Sequence, residues 1–144
     1  MSDDKSTLAI LLFSELLAAE HSVRAQLGKV LPKGMEISHF SALNSLAFHG
    51  GERTPAQLAE VLNVTRGAMT NTLAKLEWAG YVHIRPDWDD ARRKLVQISP
   101  AGQTARAQAV AAIAPMIDEV IEKIGEDQAR AALPILREIR RKLI

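Results

Sequence analysis

The apolar spacing of this chain changes at Gly80. Before it, Leu58 and Leu62, then Met69, Leu73 and Leu76, recur three or four residues apart, the period of a helix face. After it, Val82 and Ile84 alternate with His83 and Arg85, and beyond a polar turn Val96 and Ile98 alternate with Leu95 and Gln97, the period of a half-buried hairpin. Few folds accept two short helices followed at once by two strands. The helix starts and stops are marked as well. Thr54, Pro55 and Gln57 have the order of an N-cap, a first-position proline and a capping-box glutamine. Asn63 tolerates the left-handed conformation that stops this helix, and Thr65 caps the next, which runs from Arg66 to Ala79 and ends at Gly80. Two helices separated by a tight turn result.

Long helices flank this unit. Leu8, Leu12, Leu16, Ala19, Val23 and Leu27 predict an amphipathic helix that ends before Pro32 and Gly34, and a short, mostly apolar helix follows from about Ser38 to Phe48. Ser99 and Pro100 restart helix after the hairpin. The stripe Val110, Ile113, Ile117, Val120, Ile121 and Ile124 runs to Gly125, and Leu133, Leu136, Ile139 and Leu143 follow at near-heptad spacing. Pro115 and Pro134 predict kinks.

At 144 residues the chain fits one domain or one protomer of an oligomer. Its net charge of +1 does not announce a nucleic-acid partner, so any such argument rests on where the charges lie. There is no cysteine, hence no disulfide or thiolate site, which fits a reducing, cytoplasmic setting. Ser14 and Glu15 interrupt the apolar run from Leu8 to Leu17, so neither a signal peptide nor a membrane partner is expected. His21, His39, His49 and His83 form no H-E-x-x-H or i, i+4 pair, and neither a nucleophile elbow nor a phosphate loop is present. The sequence therefore predicts no enzyme, no metal and no cofactor.

On the helix from Arg66, the face opposite Met69, Leu73 and Leu76 holds Gly67, Asn71, Ala74, Lys75 and Trp78, flanked by Ala68 and Thr70. An ordinary solvated face would have a similar composition. The same face suits DNA: Gly67 and Ala68 permit close approach, the first-turn N–H groups and the Thr65 hydroxyl can meet phosphate, Asn71 can pair with adenine, Thr70 can meet a thymine methyl, and Lys75 and Arg66 can reach guanine or phosphate. The hairpin connection adds Arg85, Arg92, Arg93 and Lys94 on a slender element, with Asp87, Asp89 and Asp90 to cap its turn and hold the arginines. A calcium loop would need more oxygen ligands and a glycine.

The stretch Leu62 to Gly102, LNVTRGAMTNTLAKLEWAGYVHIRPDWDDARRKLVQISPAG, resembles the multiple antibiotic resistance regulator (MarR) family. The likeness lies in the recognition helix, the Leu76–Glu77 pair before Gly80, the D-x-x-D-x-R wing from Asp87 to Arg92, and Ser99 with Gly102. It implies a mainly α fold with a small β-hairpin wing, a winged helix-turn-helix over 36–102, and long N- and C-terminal dimerisation helices at 7–31 and 103–144. Asp90 would orient a wing arginine, Arg92 would enter the minor groove, and residues from Thr65 to Lys75 would face the major groove. Trp88 departs from the small residue or proline usual in such wings, and Ala91 replaces a frequent arginine.

Pairing with a second copy is the economical way to cover the terminal stripes; the alternative is an intramolecular three-helix bundle. The resemblance implies a homodimeric repressor that reads a pseudopalindromic double-stranded DNA operator. It also implies release by a small aromatic or phenolic effector, near which His21, Arg24, His39 and Phe40 would lie. Without cysteine, thiol-based peroxide sensing is ruled out. Readings of other classes are a winged-helix module that binds a protein through Trp78 and Trp88, and a small-molecule binder without DNA function.

Overall fold

A computed structural model of the chain describes residues 2–143. Among these the order is α1 (Ser2–Val30), α2 (Ile37–His49), α3 (Pro55–Leu62), α4 (Arg66–Trp78), β1 (Val82–Asp87), β2 (Asp90–Ile98), α5 (Pro100–Ile124) and α6 (Glu126–Lys142). This is the winged helix-turn-helix with flanking long helices that the sequence predicts. Helix α1 starts earlier than its apolar stripe because Asp3 and Asp4 suit the positive end of a helix and no residue there breaks it. Helices α5 and α6 continue through Pro115 and Pro134.

The capping signals act locally as read. Thr54 Oγ1 accepts from Gln57 N at 3.1 Å while Gln57 Oε1 accepts from Thr54 N at 2.9 Å, closing a reciprocal box at the start of α3. Asn63 adopts φ 53, the left-handed state that ends the helix. Strands β1 and β2 pair antiparallel, Val82 opposite Ile98 and Ile84 opposite Val96, with the register shifting between Pro86 and Asp87. A further pairing has no signature in the sequence: Arg53 N donates to Val96 O at 2.9 Å and Val96 N to Arg53 O at 2.7 Å, so the chain before α3 borders the hairpin's second edge.

The main core joins Leu43 and Leu46 of α2, Leu58 of α3, Met69, Leu73 and Leu76 of α4, Val82 and Val96 of the hairpin and Ala105 of α5. Each buried leucine contributes about 1.5–3 kcal/mol. A smaller cluster of Leu31, Ala109 and Ile113, with Phe40 against it, ties α1, α2 and α5. The hairpin is fastened at its base. Ser99 N donates to Tyr81 O at 2.9 Å, Ser99 Oγ donates to Gly80 O at 2.6 Å, and the same oxygen accepts from Gly102 N at 3.0 Å. A Cβ on Gly102 would stand 2.1 Å from Tyr81 O and 2.8 Å from Ile98 Cγ1, so only glycine lets α5 come this close.

Outside this body the apolar stripes stay uncovered within one chain. Leu8, Leu12, Leu17 and Val23 of α1, Ile117, Val120 and Ile124 of α5, and Leu133 and Leu136 of α6 are exposed, and α6 buries no residue. The intramolecular bundle does not form. By length and composition, Asp3–Val30 is also apolar enough to cross a membrane, so Ser14 and Glu15 do not interrupt the apolar run enough to exclude a span on hydropathy.

Gly102→Ala should lower stability by about 1–3 kcal/mol through overpacking against backbone, read as a lower urea midpoint. An unchanged midpoint would show that the clasp gives way at little cost.

Candidate nucleic-acid interface

Thr65 opens α4 by accepting from Ala68 N through its Oγ1 at 3.1 Å. This refines the expected phosphate contact: the Ala68 N–H and an acceptor site of the Thr65 hydroxyl are already used, leaving the Arg66 and Gly67 N–H groups at the open first turn. Thr70 Oγ1 donates to Arg66 O at 2.9 Å, so its hydroxyl is free to accept rather than donate.

With Met69, Thr72, Leu73 and Leu76 buried, Thr65, Arg66, Gly67, Ala68, Thr70, Asn71 and Lys75 are all exposed. They divide into stripes. Arg66, Thr70, Ala74 and Glu77 form one wall of a groove of about 600 Å³, and Ile84, Arg92, Arg93 and Lys94 of the hairpin line it too. Gly67 and Asn71 lie on the helix side away from the core. Lys75 belongs to the other flank, where it lines a separate cavity with Met35, His39, Tyr81 and Gln108. The groove thus brings Arg66 and Thr70 together with three wing cations and leaves Lys75 apart.

The wing aspartates act mainly on backbone. Asp87 Oδ1 accepts from Asp89 N at 3.0 Å and Asp90 Oδ1 from Arg92 N at 3.0 Å, which shapes the turn. Asp87, not Asp90, is the aspartate paired with a wing arginine: its Oδ2 lies 3.6 Å from Arg93 Nε. Asp90 places Arg92 through the main chain and leaves its guanidinium unpaired among the described residues.

Arg85 is committed elsewhere. Its Nε stands 2.8 Å from Glu52 Oε2, its Nη2 donates to Glu52 Oε1 at 2.9 Å, and its Nη1 donates to Pro86 O at 3.0 Å. The hydrogen bond to Glu52 raises the Arg85 pKa above its ordinary value, so the guanidinium stays charged at any working pH. Arg85 braces the hairpin against the loop before α3 rather than presenting a free cation. Sequence reasoning missed Glu52, which is separated from Arg85 by 33 residues with no periodic relation to mark it.

Among the described residues the expected effector residues lie in different surroundings. His21 and Arg24 are exposed on α1, with Arg24 paired to Glu20 at 2.7 Å. His39 is buried, and its Nδ1 accepts from Glu36 N at 3.1 Å at the start of α2. Phe40 packs on the smaller core cluster and lines a different groove, beside Phe48 and Leu136. Among the described residues no group of three or more His, Asp or Glu side chains gathers where a metal ion could sit.

The fold and the groove define a winged helix-turn-helix unit with a polar exposed helix and a cationic hairpin side by side. Residues 33–93 match the model of the MarR family. Over 145 aligned residues the chain is 28% identical to the uncharacterized HTH-type transcriptional regulator YdgG of Bacillus subtilis (strain 168), covering 99% of this chain and 95% of the relative. Its fold is similar to that of a mutant E. coli MarR complexed with operator DNA (TM-score 0.77, 23% identity, 91% of this chain and 94% of that one). It is also similar to the PcaV transcriptional regulator of Streptomyces coelicolor in complex with its natural ligand (TM-score 0.74, 15% identity, 88% and 89%).

Glu52→Gln removes the charge that holds Arg85. Because the pair is partly exposed, global stability should change little, while amide exchange at residues 87–93 should quicken severalfold. Equal exchange in both proteins would mean that the brace does not order the wing.

Proposed function

We propose that the chain is a sequence-specific, double-stranded-DNA-binding transcriptional regulator that acts as a homodimer. The observation that carries this reading is the groove shared by α4 and the wing, with Arg66 and Thr70 on one wall and Arg92, Arg93 and Lys94 on the other. In this reading α4 lies in the major groove, the open first turn at Arg66 and Gly67 meets phosphate, and Asn71 and Thr70 read base edges. Arg92 enters the neighbouring minor groove, with Arg93 and Lys94 against the backbone. Lys75, on the far flank of the helix, contacts phosphate rather than bases. The B. subtilis relative is named a transcriptional regulator, and one structural neighbour holds operator DNA, which supports the assignment.

A second copy covers the uncovered stripes of α1, α5 and α6. These faces are too extensive for a lone soluble chain, and pairing them sets two α4 helices to meet successive major grooves of a pseudopalindrome, about 34–36 Å apart. The same pairing accounts for the apolar character of α1 without a bilayer. For a small aromatic effector, the place best supported is the cavity of about 360 Å³ beside His39. His39, Tyr81, Lys75 and Gln108 line this space, and among the described residues the buried His39 Nε2 has no hydrogen-bond partner. Occupancy would act on α4 through Lys75 and on the hairpin through Tyr81.

Gel-shift titration against the DNA flanking the chain's own gene tests the assignment; binding no tighter than to random duplex would remove autoregulation. Arg92→Ala should reduce the slope of log affinity against log salt by about 1, whereas Asn71→Ala should lose about 1–3 kcal/mol of discrimination at one base pair. No retention of any duplex at low salt would favour a protein-binding module instead. Sedimentation should give twice the 15.8 kDa chain mass, and Leu12→Asp with Leu136→Asp should shift it to monomer. A wild-type monomer at micromolar concentration would overturn the dimer.

A further inference from the structure

The tip of the wing carries a large apolar group that the fold does not use. Trp88 is 79% exposed, on a turn whose other residues are polar. Its indole is nevertheless placed. The Arg85 guanidinium lies 5.9 Å from the ring centroid, within cation–π range, and Glu52 holds that guanidinium by two oxygens. Glu52, Arg85 and Trp88 therefore form a relay from the loop before α3 to the tip of the hairpin. The turn beneath the indole is fixed as well, by Asp87 on Asp89 N and Asp90 on Arg92 N. An exposed aromatic on a braced support is organised for contact before any partner arrives.

The surrounding charge indicates the partner. Arg92 and Lys94 have no ion pair among the described residues, and Asp87 is turned inward to Arg93 and the turn, so the hairpin that carries the indole at its tip also carries free cations. Asp89 is the exception: its carboxylate has no cation partner among the described residues and opposes phosphate at the tip itself. An uncharged surface between phosphates suits that position best.

We propose that Trp88 is a DNA-contacting residue whose indole packs on the deoxyribose wall of the minor groove, with Arg85 as its positioning residue. This rests on the DNA-binding reading above and adds to it a contact whose contribution does not depend on salt. In this arrangement Arg92, Arg93 and Lys94 supply the counterion-releasing contacts, and Trp88 supplies apolar burial that fixes the depth of the wing.

The test uses the full chain and a fluorescein-labelled duplex selected by the wild-type protein from a random-sequence pool, with anisotropy reporting binding. Trp78→Phe leaves Trp88 as the single tryptophan, and its emission reports contact. On binding, that emission should shift to the blue and acrylamide quenching should fall severalfold. Trp88→Ala should weaken binding about tenfold with an unchanged salt slope, and Trp88→Phe should restore most of the loss. Arg85→Lys keeps the charge but not the planar support, and in the Trp78→Phe background should reduce the protection of Trp88 from acrylamide without altering the slope. Anisotropy showing a complex while Trp88 stays fully quenchable would overturn this contact alone and leave the indole to a protein partner. Failure to select or retain any duplex would overturn the DNA-binding reading, and this contact with it.

Discussion

The hydroxyl of Ser99 fastens the functional parts of this chain to one another. It donates to Gly80 O at the end of α4 and accepts from Gly102 N in the first turn of α5, while Ser99 N donates to Tyr81 O where β1 begins. Three elements are thereby fixed at one point, and Gly102 makes the approach geometrically possible because a side chain there would overlap Tyr81 O. The angle between α4 and the hairpin, which defines the groove, follows from this junction together with Val82 and Val96 in the core. The bridge between Arg53 and Val96 and the ion pair between Glu52 and Arg85 hold the hairpin from its other side. The wing is therefore supported from both the segment before α3 and the start of α5.

A contrast in burial separates the parts. The winged helix-turn-helix completes its own core with residues from α2 to α5, so its shape does not wait on another molecule. The terminal helices do not complete theirs. Helix α6 buries nothing within the chain, and α1 exposes most of its apolar residues. The free energy available for pairing thus sits in helices that approach the winged unit through α5, where Ala105 joins the main core and Ile113 the smaller one, and through α2, where Phe40 packs on the smaller one. In the proposed assembly, movement at the paired helices reaches α4 through α5 and α2, past the cavity beside His39.

How much was legible in the sequence follows from the range of the interactions. Thr54, Gln57, Asn63 and Thr65 act within four residues of themselves, and their caps lie where the spacing put them. The hairpin register follows from the alternation of Val82, Ile84, Val96 and Ile98. The exposed face of α4 follows from the positions of Met69, Leu73 and Leu76. What the sequence left hidden joins residues far apart or depends on direction. Arg85 reads as a free wing cation until Glu52 is found beside it, and Lys75 reads as one of a set with Thr70 although it lies on the opposite flank. The family resemblance puts His39 near His21 at one effector site, yet one is a buried capping residue and the other a solvated position on α1.

The central claim is that α4 and the wing form one surface for DNA. Hydrogen–deuterium exchange of the full chain, with and without a duplex selected from a random pool, tests it directly. The account predicts that amides in 66–78 and in 87–94 both gain protection at the same duplex concentration. Protection of one segment without the other, or of neither while the duplex is demonstrably bound, would contradict it.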